Sequence, residues 1–250
     1  PLHYLRKALA PTADLLEVPL NDALLSNPDV IIMADVAKIP ETQALEQWVN
    51  DGGMLVRFAG PRLAASDVAR DAIDPLMPVR LRQGGRNIGG AMSWGEPKSL
   101  RPFAETSPFY GLPEYPEVTV SAQVVAQPDP ELSSRSIATL ADGTPLVTRK
   151  TLGQGQIILF HVTANAEWST LPLSGLFVQM LERLAITTRA TTPSEADLSG
   201  TVWAVEHMLD GFGDLGNGDN IAGVPGKVLA DVLSTGAATA QVPPGIYATD

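Results

Sequence analysis

Cysteine is absent from this chain of 250 residues, so disulfides, thiolate metal centres and cysteine nucleophiles are excluded together. Histidine is scarce: His3, His161 and His207 are far apart and none sits in an H-E-x-x-H pattern, so no zinc motif and no other metal site is expected. Apolar runs are short. None approaches the ~20 residues that cross a bilayer, and the amino end carries no signal-peptide pattern, so this segment reads as soluble. Basic residues are in deficit, 17 against 28 acidic, and the net charge of -11 repels nucleic-acid backbones and anionic lipid surfaces. Nucleic acid is therefore not an expected partner. No G-x-S-x-G elbow marks a serine hydrolase, and Ser174, just before Gly175, has no base placed beside it.

What is present is a globular composition, 44% hydrophobic with 18% charged, on a chain long enough to bury a large core. Residues 145–184 are the most patterned stretch. Gly153 and Gly155 punctuate two β-rich runs, and 157–162 (IILFHV) is the nearly unbroken apolar strand expected of a parallel sheet buried on both faces. Behind it, Leu173, Leu176, Phe177, Met180, Leu181 and Leu184 recur at helical spacing, so this face of a helix is expected to pack inward.

Upstream, 3–10 reads as a short helix ended by Pro11, and 15–20 as a strand. Residues 29–34 (DVIIMA), 41–50 and 54–59 (MLVRFA) read as strand, amphipathic helix and strand, a right-handed βαβ unit. No strand reads ahead of the first helix, so the sheet starts with a gap. The sheet is expected to close that gap by pairing 15–20 with 29–34, or to take a strand from elsewhere in the chain or from a second copy. Prolines 61, 75 and 78 break the pattern, 80–90 reads as a strand and glycine-rich turn, and 93–116 as a lid-like loop. Residues 118–126, 136–140 and 146–150 alternate as antiparallel strands, with Asp142-Gly143 as a hairpin turn. After Thr192 the composition shifts to Gly, Ala, Pro and Asp, with helices expected near 202–209 and 227–233.

In open α/β sheets ligands sit beyond the carboxyl ends of the strands. Asp35, Gly60, Arg62, His161, Thr163, Asn165 and Glu167 stand at three such ends, with Trp168 as an apolar wall, and they form the candidate cleft. The plainer alternative makes Asp35 and Asn165 helix caps, His161 a core histidine and Trp168 a packing residue. Arg80, Arg82 and Arg86 around Gly84-Gly85 form a second candidate, an anion site; the alternative is that they pair with the chain's own carboxylates. Residues 211–216 (GFGDLG) match G-x-G-x-x-G without the strand before and helix after that a dinucleotide needs. Asp210, Asp214, Asn217 and Asp219 lack the alternation of a calcium loop, so no cofactor is expected.

The runs DVIIMADV, DGGMLVRFAGPR and IILFHVTANAEW resemble the class I glutamine amidotransferase-like fold, a flavodoxin-like parallel sheet sandwiched by helices. Active members of that fold carry a cysteine after the strand matching 54–59 and a His-Pro-Glu at the end of the strand matching 157–161. Here Ala59-Gly60 stands at the first place and Val162-Thr163 follows His161, so the resemblance implies the fold without the amidase chemistry.

The longer runs LRQGGRNIGGAMSW, SPFYGLPEYPEVTV, LADGTPLVTRKTLGQGQIILFHVTANAEWSTLPLSGLFVQMLERL, LDGFGDLG and PPGIYATD resemble the middle region of bacterial membrane proteins. Those proteins carry an amino-terminal BatA-type (aerotolerance-regulator) double-transmembrane domain and a carboxy-terminal domain of unknown function.

Together the resemblances imply an α/β domain over 1–192, with an antiparallel β-rich excursion over 76–150, and an extension or linker over 193–250. They imply a segment of a longer, membrane-anchored envelope protein, with membrane contact only through segments outside this chain. The expected role is a non-catalytic binding or interaction module with a protein or small-molecule partner, able to form a homo-oligomer. The alternative is a hydrolase or transferase acting around His161.

Overall fold

The unit that organises the sheet is β1 (Val30–Ala34), helix α3 (Thr42–Asn50) and β2 (Met54–Phe58), with Val30 opposite Met54 and Ala34 opposite Phe58 in a parallel ladder. Helix α3 buries Leu45, Trp48 and Val49, and the chain leaves it through Gly52 at φ 126°, a conformation that side-chain-bearing residues rarely adopt. The computed structural model describes residues 2–70, 73–87, 96–186, 198–209, 215–218, 222–235, 238–239 and 241–249. The chain divides into two units, Pro1–Arg189 and Ala190–Asp250.

The other strands of the first unit are β3 (Leu81–Asn87), β4 (Lys98–Ser99), β5 (Thr119–Val120), β6 (Ala122–Ala126), β7 (Ser136–Thr139), β8 (Pro145–Leu152) and β9 (Gly155–Phe160). The main sheet runs β1-β2-β9-β8-β7. Strand β9 lies parallel to β2 but antiparallel to β8, and β8 is antiparallel to β7. This corrects the flavodoxin-like expectation. A flavodoxin-like sheet is wholly parallel, whereas Leu152 and Gly155 pair directly across Gly153-Gln154, and so short a connection permits only an antiparallel neighbour. Strands β7 and β8, assigned to an excursion, are thus two of the five strands of the main sheet.

At the other edge the strand expected over 15–20 does not form. Residues 14–19 have no regular structure, Leu15, Leu16 and Val18 are exposed, and Leu20–Leu25 is a short helix, α2. Strand β1 is therefore the edge. Its inner side pairs with β2, and among the described residues no other strand takes the place of the missing one.

One face of the sheet is sealed by α1 (Leu2–Leu9) and α6 (Gly175–Ile186). Phe58 stacks on Phe160 with ring centroids 4.5 Å apart and meets Phe177 edge-on at 5.9 Å. Phe177 and Met180 are fully buried, as the helical spacing predicts. Leu173 departs from that pattern: it ends a 3-10 turn, Leu171–Leu173, ahead of the helix and is 61% exposed. The described part of the 93–116 loop packs down through Phe103, Phe109 and Leu112 onto this same core, so it behaves as a wall and not as a lid.

The opposite face is covered by α3, a one-turn helix α4 (Pro61–Ala65), residues 66–70 and the proline-containing 73–80, and the β3-β6 pair. Helix α5 (Leu132–Arg135) leads into β7.

In the second unit, β10 (Val202–Leu209) pairs with β11 (Leu215–Asn217), β12 (Val224–Pro225) and β13 (Gly245–Ala248). The helix expected over 202–209 is thus a strand, because its V-W-A-V start suits a pleated surface and three partner segments are available to pair it. Helix Gly226–Thr235 forms where one was expected, and Leu198, Val205, Val224, Leu229 and Val242 make a small core. Of the G-x-G-x-x-G run, residues 211–214 lie outside the described residues, as do Asp210 and Asp219; Leu215, Gly216 and Asn217 are strand β11.

Candidate functional site

The strand ends bring some of the expected residues together. Asp35 leaves β1 at φ 55°, and its carboxylate accepts hydrogen bonds from the Arg62 N–H (3.0 and 3.2 Å) and the Leu63 N–H (3.0 Å). It therefore satisfies the free amides at the start of α4 from a neighbouring strand, as a cap would. Gly60 makes this possible, since a Cβ there would lie 2.3 Å from Asp35 Cγ. Asp35, Gly60 and Arg62 thus meet, but the carboxylate is occupied by backbone.

His161 points the other way. It is completely buried, its Nδ1 is 2.7 Å from the Val124 carbonyl and its Nε2 is 3.0 Å from Thr148 Oγ1. A carbonyl only accepts, so Nδ1 carries the proton and Nε2 accepts from the Thr148 hydroxyl. Burial pushes the imidazole down to about 4, with the Val124 bond opposing, and it stays neutral at ordinary pH. The Val124 N–H donates back to the His161 carbonyl at 2.9 Å, so β6 is clipped across the end of β9 and fills the ground where a ligand was expected. Among the described residues no hydrogen bond joins His161 to Asp35 or Glu167.

The remaining expected residues form a closed turn. Thr163 Oγ1 donates to the Asn165 carbonyl (3.0 Å), and Asn165 Oδ1 accepts from the Glu167 N–H (3.2 Å). Trp168 packs between two parts of the core, and its carbonyl accepts from Ser121 N (2.8 Å) and Ala122 N (3.1 Å).

A second group was missed in the sequence. Across the sheet, Arg57 on β2, Leu159 on β9 and Thr148 on β8 are direct neighbours, as are Leu55, Ile157 and Lys150, so Arg57 and Lys150 share the face that carries His161. Arg57 is buried and donates to the carbonyls of Leu76 (3.1 Å) and Val36 (2.7 Å). Lys150 Nζ donates to the Pro75 carbonyl (3.1 Å), and Arg135 Nη1 to the Pro78 carbonyl (3.1 Å). Arg70 closes α4 by donating to Ser66, Leu63 and Ala64 carbonyls.

The physical reason is common to Arg57, Lys150 and Arg135. Residues 73–80 run over the sheet without a strand partner among the described residues, and their carbonyls must find donors when they leave water. Cations on β2, β8 and α5 supply them. Burial, opposed by Asp74, holds the Arg57 guanidinium below its ordinary range; burial and then Arg135 do the same to the Lys150 amine, against Asp74 and Glu46. An arginine in the middle of an otherwise apolar strand, MLVRFA, was the available signal, since such a charge needs buried partners.

Segment 73–80, residues 129–135 and Lys150 enclose a cleft of about 550 Å³. Of the three arginines expected to hold an anion, Arg80 lines this cleft and Arg82 is exposed on β3; the side chain of Arg86 lies outside the described part of the structure. Among the described residues no group of three or more His, Asp or Glu is arranged to hold a metal ion.

No family model matches the chain, and no curated protein matches it. Solved structures do. The cytoplasmic protein STM3548 from Salmonella typhimurium is similar over 75% of this chain and 86% of its own, with a TM-score of 0.55 at 16% identity. The cytoplasmic protein STM1381 from Salmonella typhimurium LT2 gives 0.53 at 14%, over 74% and 86%. A β-galactosidase from Rahnella sp. R3 gives 0.52 at 15%, over 79% of this chain but 27% of the enzyme's. At these identities the likeness is one of fold. With the mixed sheet, it stands in place of the flavodoxin-like sandwich.

Proposed function

We propose that this chain is a non-catalytic binding or interaction module of a bacterial envelope protein, held at the cell membrane by segments outside it. The observation that carries the reading is His161. It is the imidazole at the strand ends, and both of its nitrogens are committed inside the core, to Val124 and Thr148. A general base must reach the proton it removes, and this one reaches neither solvent nor a hydroxyl in an open cleft. Asp35 is likewise engaged by the amides of Arg62 and Leu63. At the strand ends neither His161 nor Asp35 is therefore placed as a base for the hydrolase or transferase alternative.

The membrane part rests on the long runs quoted above; among the described residues no helix is long and apolar enough to cross a membrane.

A thermal-shift screen of metabolites, with product analysis of every stabilising compound, tests the first part, because a ligand that binds the folded state raises its stability by mass action. Stabilisation without turnover is expected. A compound consumed by the wild type and spared by His161→Asn would overturn the reading in favour of the enzyme. Fractionation of cells carrying the full-length protein tests the second part: recovery with membranes is expected, and recovery in the soluble fraction would overturn it.

A further inference from the structure

The cleft bounded by segment 73–80, residues 129–135 and Lys150 lies away from the strand ends. Lys150 pairs with Ile157 near the start of β9, whereas His161 follows its last residue. In a chain with 17 basic residues against 28 acidic ones, this cleft collects Arg80, Arg135 and Lys150 from three separate segments.

Its carboxylates are turned to local work. Asp74 Oδ1 accepts from the Leu76 N–H (2.8 Å), Asp129 Oδ1 from the Glu131 N–H (2.9 Å), and Glu131 pairs with Arg135 one turn along α5. Lys150 and Arg80, in contrast, have no carboxylate within salt-bridge distance among the described residues. Lys150 gives one N–H to Pro75 and keeps two. Arg80 engages its backbone carbonyl with Gln127 while its guanidinium stays exposed. Between the cations the cleft is lined by Met77, Pro78, Val79 and Leu132.

We propose that this cleft binds a small organic anion, its carboxylate or phosphate held by Lys150, Arg80 and the free donors of Arg135, and its apolar body laid on Met77, Val79 and Leu132. The size suits the class, since small-molecule sites run from about 300 to about 1,000 Å³ and are mainly apolar with a few converging polar groups. Burial first, and then the charge of Arg135, hold the Lys150 amine low against Asp74 and Glu46, and an anion would relieve that repulsion. The proposal rests on the binding-module reading and gives it a place and a ligand chemistry.

Calorimetric titration of the whole chain with phenyl phosphate, benzoate and benzyl alcohol tests it. Saturable binding of one of the two anions and none of the neutral alcohol is expected, and the better anion names the head group. Arg80→Gln should weaken that binding about tenfold or more, because a charge-assisted contact is lost. Lys150→Met should do the same; Arg80→Gln carries the test if that variant does not fold, since the Arg80 side chain is exposed. Equal affinity in Arg80→Gln and wild type would overturn the site, as would no saturable binding of either anion up to roughly 10 mM. A metabolite from the screen that binds Arg80→Gln unchanged would sink the cleft and leave the module reading standing. Turnover would sink the module reading alone.

Discussion

The two faces of the main sheet are built on different physics. Beneath α1 and α6 lie Phe58 and Phe160, met from α6 by Phe177 and Met180; these side chains bond to nothing and are held by exclusion of water and close packing. On the other face Arg57 and Lys150 lie beneath residues 73–80 and His161 beneath β6, each tied to a particular carbonyl. A helix satisfies its own backbone and can be seated on an apolar surface. A proline-broken segment cannot, so the face beneath it must carry donors. The cations buried here are accounted for by the carbonyls that cover them.

Substitutions on the two faces should break this contrast in different ways. Phe177→Ala opens a cavity in the apolar face and should cost about 3 to 5 kcal/mol in urea unfolding; a loss under about 1 kcal/mol would show that the face is loosely packed. Arg57→Met keeps the bulk but strands the Leu76 and Val36 carbonyls, with an expected loss of about 2 to 4 kcal/mol. Unchanged stability there would mean that residues 73–80 do not depend on the donors beneath them.

His161 sharpens the contrast through pH. Its folded value of about 4 lies below the ordinary 6.5, so the unfolded chain takes up the proton first, and stability falls as pH drops from 6.5 towards 4. The full effect is roughly 3 kcal/mol. Carboxylates titrate over part of that window, so the quantity to measure is the difference between wild type and His161→Asn, which retains a donor for Val124 but does not titrate. Parallel stability curves for the two proteins would refute the neutral, buried histidine. Smallest is Asp35→Ala, which frees the amides of Arg62 and Leu63 and should cost about 1 kcal/mol, as loss of a cap does. A larger loss, or a change in ligand binding, would return Asp35 to the list of functional residues.

Much of the fold was legible where structure follows local pattern. Helical spacing identified Phe177 and Met180 as core, and the sequence DVIIMA, an amphipathic stretch and MLVRFA announced the parallel β1-α3-β2 unit. The candidate site was legible only in part. Asp35, Gly60 and Arg62 do converge, while His161 turns into the core and Thr163, Asn165 and Glu167 close on themselves. Arg57 and Lys150 escaped notice because their partners, Leu76 and Pro75, belong to a segment with no periodicity to read.

By itself the sequence determined which residues are apolar, at what spacing, and hence which segments form most strands and helices of the first unit and which of their faces turn inward. It also removed cysteine chemistry from consideration altogether. Only the tertiary structure decided that β8 lies antiparallel beside β9, that 202–209 is a strand, and that His161 is buried between Val124 and Thr148. Each of those outcomes depends on a partner brought up by the rest of the fold. For His161 the partner is Val124, 37 residues away in sequence, and no local period encodes which carbonyl will stand within 2.7 Å of a ring nitrogen.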